Sequence, residues 1–409
     1  MQLWKKFHLP IAFYLIIISA VLSLAAGCGL PLRHFAEGEF GYLSIVVVIL
    51  TGVLFLRVYE ASGAIGILMG RLAGMMDRRP LTFLFLVMTL LYVPGMFTGL
   101  GVPAVLIIGG MAYPLLMKIG FSSNRAVAFI SMGAMLGSVT GPVNIPVMII
   151  ACAINMPYEG FGLVLPAITL PLGIAVVLLL GWKAARSHPK GLAVFQEEAG
   201  SLWKASVWAP VIVLLLMIGL PRLFPLTIPD GGTPLAFIAA VISVLLTSPR
   251  KGMFQVMLKA LDNPVLDTAA LLLSVGILVQ IATLTGVKGD IITACMSLPQ
   301  SGIYLVLLIV LPILGGAVSM LGGAALFGLP LVLALLGHNT IVVTAGCSVL
   351  CALSQLLPPT AIVGKVAAEI LGIADYRPIM KEALPCMILT ALLSLLFVIF
   401  SNQAARFLV

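Results

Sequence analysis

Apolar residues run along this chain in blocks, and short polar stretches carrying Lys, Arg, Gly and Pro separate them. An apolar helix of roughly 20 residues matches the hydrocarbon thickness of a bilayer. The pattern predicts membrane-spanning helices over residues 9–27, 41–58, 125–155, 161–181, 207–227, 234–248, 264–285, 340–371 and 383–402. Two more apolar blocks, 81–117 and 302–337, have middles rich in Gly, Pro, Ser and Thr. They predict re-entrant helical hairpins that enter and leave the membrane on one side. Segments 62–76 and 287–298 are short and charged, as interfacial arm helices are.

Two of the predicted spans are interrupted. Gly137-Ser138-Val139-Thr140-Gly141-Pro142-Val143-Asn144-Ile145-Pro146 falls inside 125–155, and Ser354-Gln355-Leu356-Leu357-Pro358-Pro359-Thr360 inside 340–371. Backbone released from a helix at membrane depth needs partners from protein or a polar cavity. Paired interruptions in two halves of a chain point to the binding site of a secondary transporter. The halves also match elsewhere, at a displacement of about 217 to 223 residues. Thr98-Gly99-Leu100-Gly101 pairs with Ser319-Met320-Leu321-Gly322, Tyr158 with Tyr376, Leu165-Pro166 with Leu384-Pro385, and Ser62-Gly63 with Thr285-Gly286. This divides the chain into a first repeat (1–181), a loop and linking span (182–232) and a second repeat (233–409). One linking span between two even sets of crossings inverts the second repeat.

Composition agrees with lipid as the solvent. The 409 residues are 61% hydrophobic and 9% charged, and their mean hydropathy is +1.21; a soluble domain could not bury that much apolar surface. The net charge of +8 forms no single basic patch and does not point to nucleic acid. With the amino terminus cytoplasmic, 17 Lys/Arg fall inside and four outside (Arg33, Arg222, Lys288, Arg406), which leaves Lys365 within a span. The run 9–27, after Lys5 and Lys6, reads as the first span; a signal peptide ending near Leu24-Ala25-Ala26-Gly27-Cys28 is the alternative. The six cysteines have no CxxC or metal-ligand spacing and read as small core residues. No HExxH, intramembrane Asp/His cluster or nucleophile–base pair is present, so an enzyme is not expected.

The chemistry concentrates at the interruptions. Neutral oxygens and loose carbonyls can hold a monovalent cation such as sodium without burying a carboxylate. Thr98, Gly101, Ser138, Thr140, Ser354 and Gln355 are the candidate cation ligands, and Thr98, Gly99, Asn144, Ser319, Gly322, Thr360 and Lys365 the candidate substrate contacts. Gly, Ser and Pro also serve close helix packing, which is the alternative role for each of them. Lys365 is an intramembrane cation that could meet a substrate carboxylate or stand in for a coupling ion; an i,i+4 contact with Glu369 is its alternative.

Three motifs resemble one family. Gly95-Met96-Phe97-Thr98-Gly99-Leu100-Gly101-Val102, Pro142-Val143-Asn144-Ile145-Pro146 and Leu356-Leu357-Pro358-Pro359-Thr360-Ala361 are similar to the hairpin and break motifs of the large membrane subunit of tripartite ATP-independent periplasmic (TRAP) transporters, within the wider ion-transporter superfamily. The likeness runs from about residue 41 to the end. Leu100-Gly101 stands where that family has paired serines, and Lys365 where it has an apolar residue. The resemblance implies an all-α polytopic protein of the bacterial inner membrane that moves its cargo by an elevator mechanism. It implies no covalent cofactor, sodium as coupling ion and import of a small organic acid such as a carboxylate. The implied partners are a small four-helix membrane subunit and a periplasmic substrate-binding protein. A stand-alone organic-anion permease of the same superfamily, and a non-transporting membrane scaffold subunit, are the alternatives.

Overall fold

The structure is a computed structural model that describes residues 11–187, 205–224, 227, 231–248, 252–260, 263–318, 320–358, 361–373 and 375–409. Every regular element among them is helical. Seven described helices are long and apolar enough to cross a membrane, which makes this a multi-pass, all-α membrane protein. Its surface agrees. Leu170, Ile174 and Leu178 on one helix, and Leu384, Ile388 and Leu392 on another, stay exposed. Apolar strips of that length are stable only against hydrocarbon. By contrast, every side chain from Ala126 to Thr140 is buried, so helix Ser123–Thr140 forms the centre of the protein.

Four predicted spans fall on helices long and apolar enough to cross, Leu43–Ala61, Phe161–Val176 continuing to Ser187, Asn263–Leu284 and Arg377–Ile399, and three fall on helices whose described apolar stretches are shorter, Ile11–Ala25, Ala205–Leu223 and Gly232–Thr247. Helix Leu32–Gly41 was not expected. It is too polar to cross a membrane, and it packs on Asn263–Leu284 where the Gly38 and Gly276 backbones touch. The two arm segments are helices Ala64–Ala73 and Val287–Met296, ten residues each. Each is entered through a left-handed glycine, Gly63 (φ 80°) and Gly286 (φ 84°).

The first hairpin rises through Pro80–Thr98, turns at left-handed Gly99 and returns through Val102–Ile119. By length alone either arm could cross a bilayer. The tip packs against protein: a Cβ on Gly99 would lie 2.6 Å from Ile145 Cγ1, and Thr98 is fully buried. The second hairpin is Gln300–Val318 followed by Met320–Leu333. Both return arms contain a π-helical stretch at the matching place, Val105–Gly109 and Ala324–Gly328. Such local widening recurs at functional sites.

The two interrupted helices differ in how they break. Helix Ser123–Thr140 stops at Gly141 (φ 89°), passes through a cis peptide to Pro142, and restarts as Ile145–Ala153. Helix Thr340–Ala352 tightens into a 3₁₀ turn over Leu353–Gln355 and restarts as Ile362–Ile370 through Ala361, a left-handed non-glycine at φ 43°. A half-exposed ion pair, Arg125–Glu382 at 3.0 Å, ties the start of the first interrupted helix to Arg377–Ile399.

Candidate functional site

Small residues bring the first hairpin against the first interrupted helix. A Cβ on Gly95 would fall 2.6 Å from the Gly137 carbonyl carbon and the Ser138 nitrogen, and one on Gly137 would fall 2.6 Å from Tyr92 Cα. The backbones are therefore in contact, and close approach of this kind is the usual work of glycine between membrane helices. The contact is locked where the helix opens: the Val143 N–H donates to the Met96 carbonyl at 3.1 Å.

Each break is then satisfied by a tyrosine from the chain that follows it. Tyr158 donates its hydroxyl to the Pro142 carbonyl at 3.0 Å and accepts the Asn144 N–H at 2.9 Å. Tyr376 donates to the Leu356 carbonyl at 2.7 Å. Burial pushes the Tyr376 phenol well above its ordinary pKa, so it remains a donor across the physiological range. Tyr158→Phe leaves two broken-helix groups without their partner and is expected to cost about 1–3 kcal/mol. Tyr376→Phe removes one bond and is expected to cost about 1 kcal/mol. Thermal unfolding in detergent checks both, and equal midpoints for the two variants would contradict the unequal roles.

Asn144 caps the second half of the first broken helix. Its Oδ1 accepts the Val147 N–H at 3.0 Å, while Nδ2 donates to the Val139 carbonyl at 2.9 Å and to Ser348 Oγ at 3.0 Å. It thus closes the gap in its own helix and reaches the other interrupted helix.

The elements converge on Gln355. Its Nε2 donates to Ser138 Oγ at 3.0 Å, across 217 residues of sequence, and to Met320 Sδ in the second hairpin at 3.1 Å. A Cβ on Gly101, at the first hairpin tip, would sit 2.9 Å from Gln355 Oε1 and 2.7 Å from Val363 Cγ2. One amide therefore touches both hairpins and both interrupted helices.

Of the predicted site residues, Thr98, Gly99, Gly101, Asn144, Ser138, Thr140, Ser354, Gln355 and Gly322 lie in or beside this buried region. Most of the hydroxyls already serve the helix: Thr98 Oγ1 donates to the Pro94 carbonyl at 2.8 Å, Ser138 to Met135 at 2.7 Å and Thr140 to Leu136 at 2.7 Å. Ser354 Oγ is the exception, buried with no hydrogen-bond partner. Ser319 and Thr360 lie outside the described residues. Lys365 stands apart. It is exposed on helix Ile362–Ile370, at an open depression of about 450 Å³ that Glu369 and Tyr376 also line.

A cavity of about 260 Å³ opens beside the first break, between Met96, Phe97, Thr140, Tyr158 and Leu165 and the linking helix residue Leu214. None of its described lining residues is charged.

No family model and no curated protein matches this chain. Sequence reasoning identified the breaks but missed Met320, Ser348 and the use of both tyrosine hydroxyls. The signals available were the pairing of Tyr158 with Tyr376 and the place of Met320 in the second hairpin's tip motif; Ser348 had none.

Proposed function

We propose that this chain is a cation-coupled secondary transporter that imports a small organic acid, built like the large membrane subunit of a TRAP transporter. The observation that carries the reading is the convergence of both hairpins and both interrupted helices on Gln355. Paired π-helical stretches, paired glycine-led arm helices and paired tyrosines on the breaks favour two inverted repeats. In this reading residues 81–155 and 302–371 form the moving core of an elevator, while 9–58 and 207–285 form most of its scaffold. The cavity between the first break and the linking helix lies on the seam between them and is the cargo compartment.

The chemistry of that compartment favours coupling. An organic anion entering alone would meet no charged side chain among the lining residues, and burying its charge unpaired is costly. A co-bound sodium ion, held by carbonyl and hydroxyl oxygens at the breaks, offsets that cost. The reading places the protein in a bacterial inner membrane, working with a small four-helix subunit and a periplasmic substrate-binding protein.

Uptake of radiolabelled carboxylates into proteoliposomes, with and without candidate partner proteins, tests it. We expect uptake to need an inward sodium gradient, and Thr98→Ala to lower the initial rate by about tenfold. A Thr98→Ala or Asn144→Ala rate equal to wild type would remove the assigned sites. No gradient-driven uptake under any condition would remove the transporter reading.

A further inference from the structure

A second depression, of about 300 Å³, lies at the opposite end of the first hairpin from its tip. It is lined by Arg79, Pro80 and Thr82, where helix Pro80–Thr98 begins, and by Trp182 and Arg186, where the helix that starts at Phe161 ends. None of its lining residues is acidic. The charge bias of the sequence assigns this end of the bundle to the cytoplasm.

Three features share one chemistry. Two arginines line one concavity, and Arg186 lies over the Trp182 ring with its central carbon 4.5 Å from the ring centroid. A cation over an aromatic face is attracted by the ring, and the fork of guanidinium N–H donors suits phosphate oxygens. No side chain caps the start of helix Pro80–Thr98, and no acidic residue lies in its first turn. An anion here would meet the positive end of a 19-residue helix as well as the two arginines.

What lies alongside distinguishes a lipid from a free ion. Leu170, Ile174 and Leu178 are 53%, 50% and 41% exposed, and they lead along the helix to Trp182, itself 41% exposed. This apolar track begins at the depression and runs into the depth of the membrane. Tryptophan at its head is the side chain that favours the level of lipid headgroups.

We propose that the depression binds an anionic phospholipid, with the headgroup phosphate between Arg79 and Arg186 and an acyl chain along Leu178, Ile174 and Leu170. The lipid joins the base of the first hairpin to the helix that leads to the first-break cavity. This assignment does not depend on the transporter reading.

Native mass spectrometry of the purified full chain, released from detergent with phosphatidylglycerol or phosphatidylcholine added, tests it. Wild type is expected to retain phosphatidylglycerol in preference to phosphatidylcholine. Each arginine replaced by alanine is expected to lower that preference about fivefold, so that it is lost in the Arg79→Ala/Arg186→Ala protein. The Arg79→Lys/Arg186→Lys protein is expected to keep most of it. Lys259→Ala, at a separate basic depression with Arg57, is expected to change nothing. Thermal unfolding shows whether each variant is folded, and a double alanine variant that unfolds early is replaced by Arg186→Ala alone. The proposal is overturned if the alanine variants keep the full preference, if Lys259→Ala lowers it equally, or if millimolar inorganic phosphate displaces the lipid.

Discussion

Gly137→Ala is expected to destabilise the protein by about 2–3 kcal/mol, lowering its unfolding midpoint by several degrees, while Gly110→Ala on the first hairpin does not. The two positions separate packing from helix propensity. Alanine is the better helix former by roughly 0.5–1 kcal/mol, so propensity alone predicts stabilisation at both. At Gly110 nothing lies within 4 Å of the added methyl, and that gain is expected to appear. At Gly137 the methyl would fall 2.6 Å from Tyr92 Cα. A backbone atom cannot turn aside as the end of a flexible side chain can, so the two helices must separate. Separation strains the Val143–Met96 backbone bond and the Tyr92 hydroxyl bond to the Thr169 carbonyl, 2.8 Å long. Melting curves of the two variants in one detergent decide the matter. Equal midpoints would show that the hairpin and the first broken helix are not held in backbone contact.

That contact illustrates what could be read before the structure. The helix stops were legible because their cause is local: proline lacks the N–H that continues a helix, and glycine takes the left-handed turn at Gly141 and Gly99. The two short helices Ala64–Ala73 and Val287–Met296 were legible as separate elements from their length and charge. The Asn144-Ile145-Pro146 run was also legible, but in a second way: asparagine just before a proline in the first helical turn is a helix-start signal, and the structure uses Asn144 as that cap. Reading it only as a ligand missed its bonds to Val139 and Ser348. Other features had no local cause. Leu32–Gly41 is too short and polar to stand out as a span, and it packs through the Gly38–Gly276 contact on a helix more than two hundred residues away. The π-helical stretches depart from the 3.6-residue period on which the reading rests. At the Gln355 junction the repeat displacement relates Ser138 to Gln355, 217 residues apart, but a displacement between repeats does not say that the related residues touch, nor that Gly101 and Met320 meet them.

If the chain is the sodium-coupled transporter proposed, Gln355→Leu is expected to lower its uptake at least about tenfold while leaving the unfolding midpoint close to wild type. Leucine keeps most of the volume and suits the apolar neighbours Val363 and Met320. Ser138 loses one donor but still gives its own proton to the Met135 carbonyl, so the fold loses only about 1 kcal/mol. What leucine removes is the one amide that reaches both hairpins and both interrupted helices, and with it the Oε1 that faces Gly101. If the junction holds a cation, uptake should fall most at low sodium and recover partly as sodium rises. If it only couples the two halves, the maximal rate should fall at every sodium concentration. Either pattern is a functional loss without a matching loss of stability. Uptake and stability falling together would make Gln355 a packing residue, and unchanged uptake would move the site away from the junction.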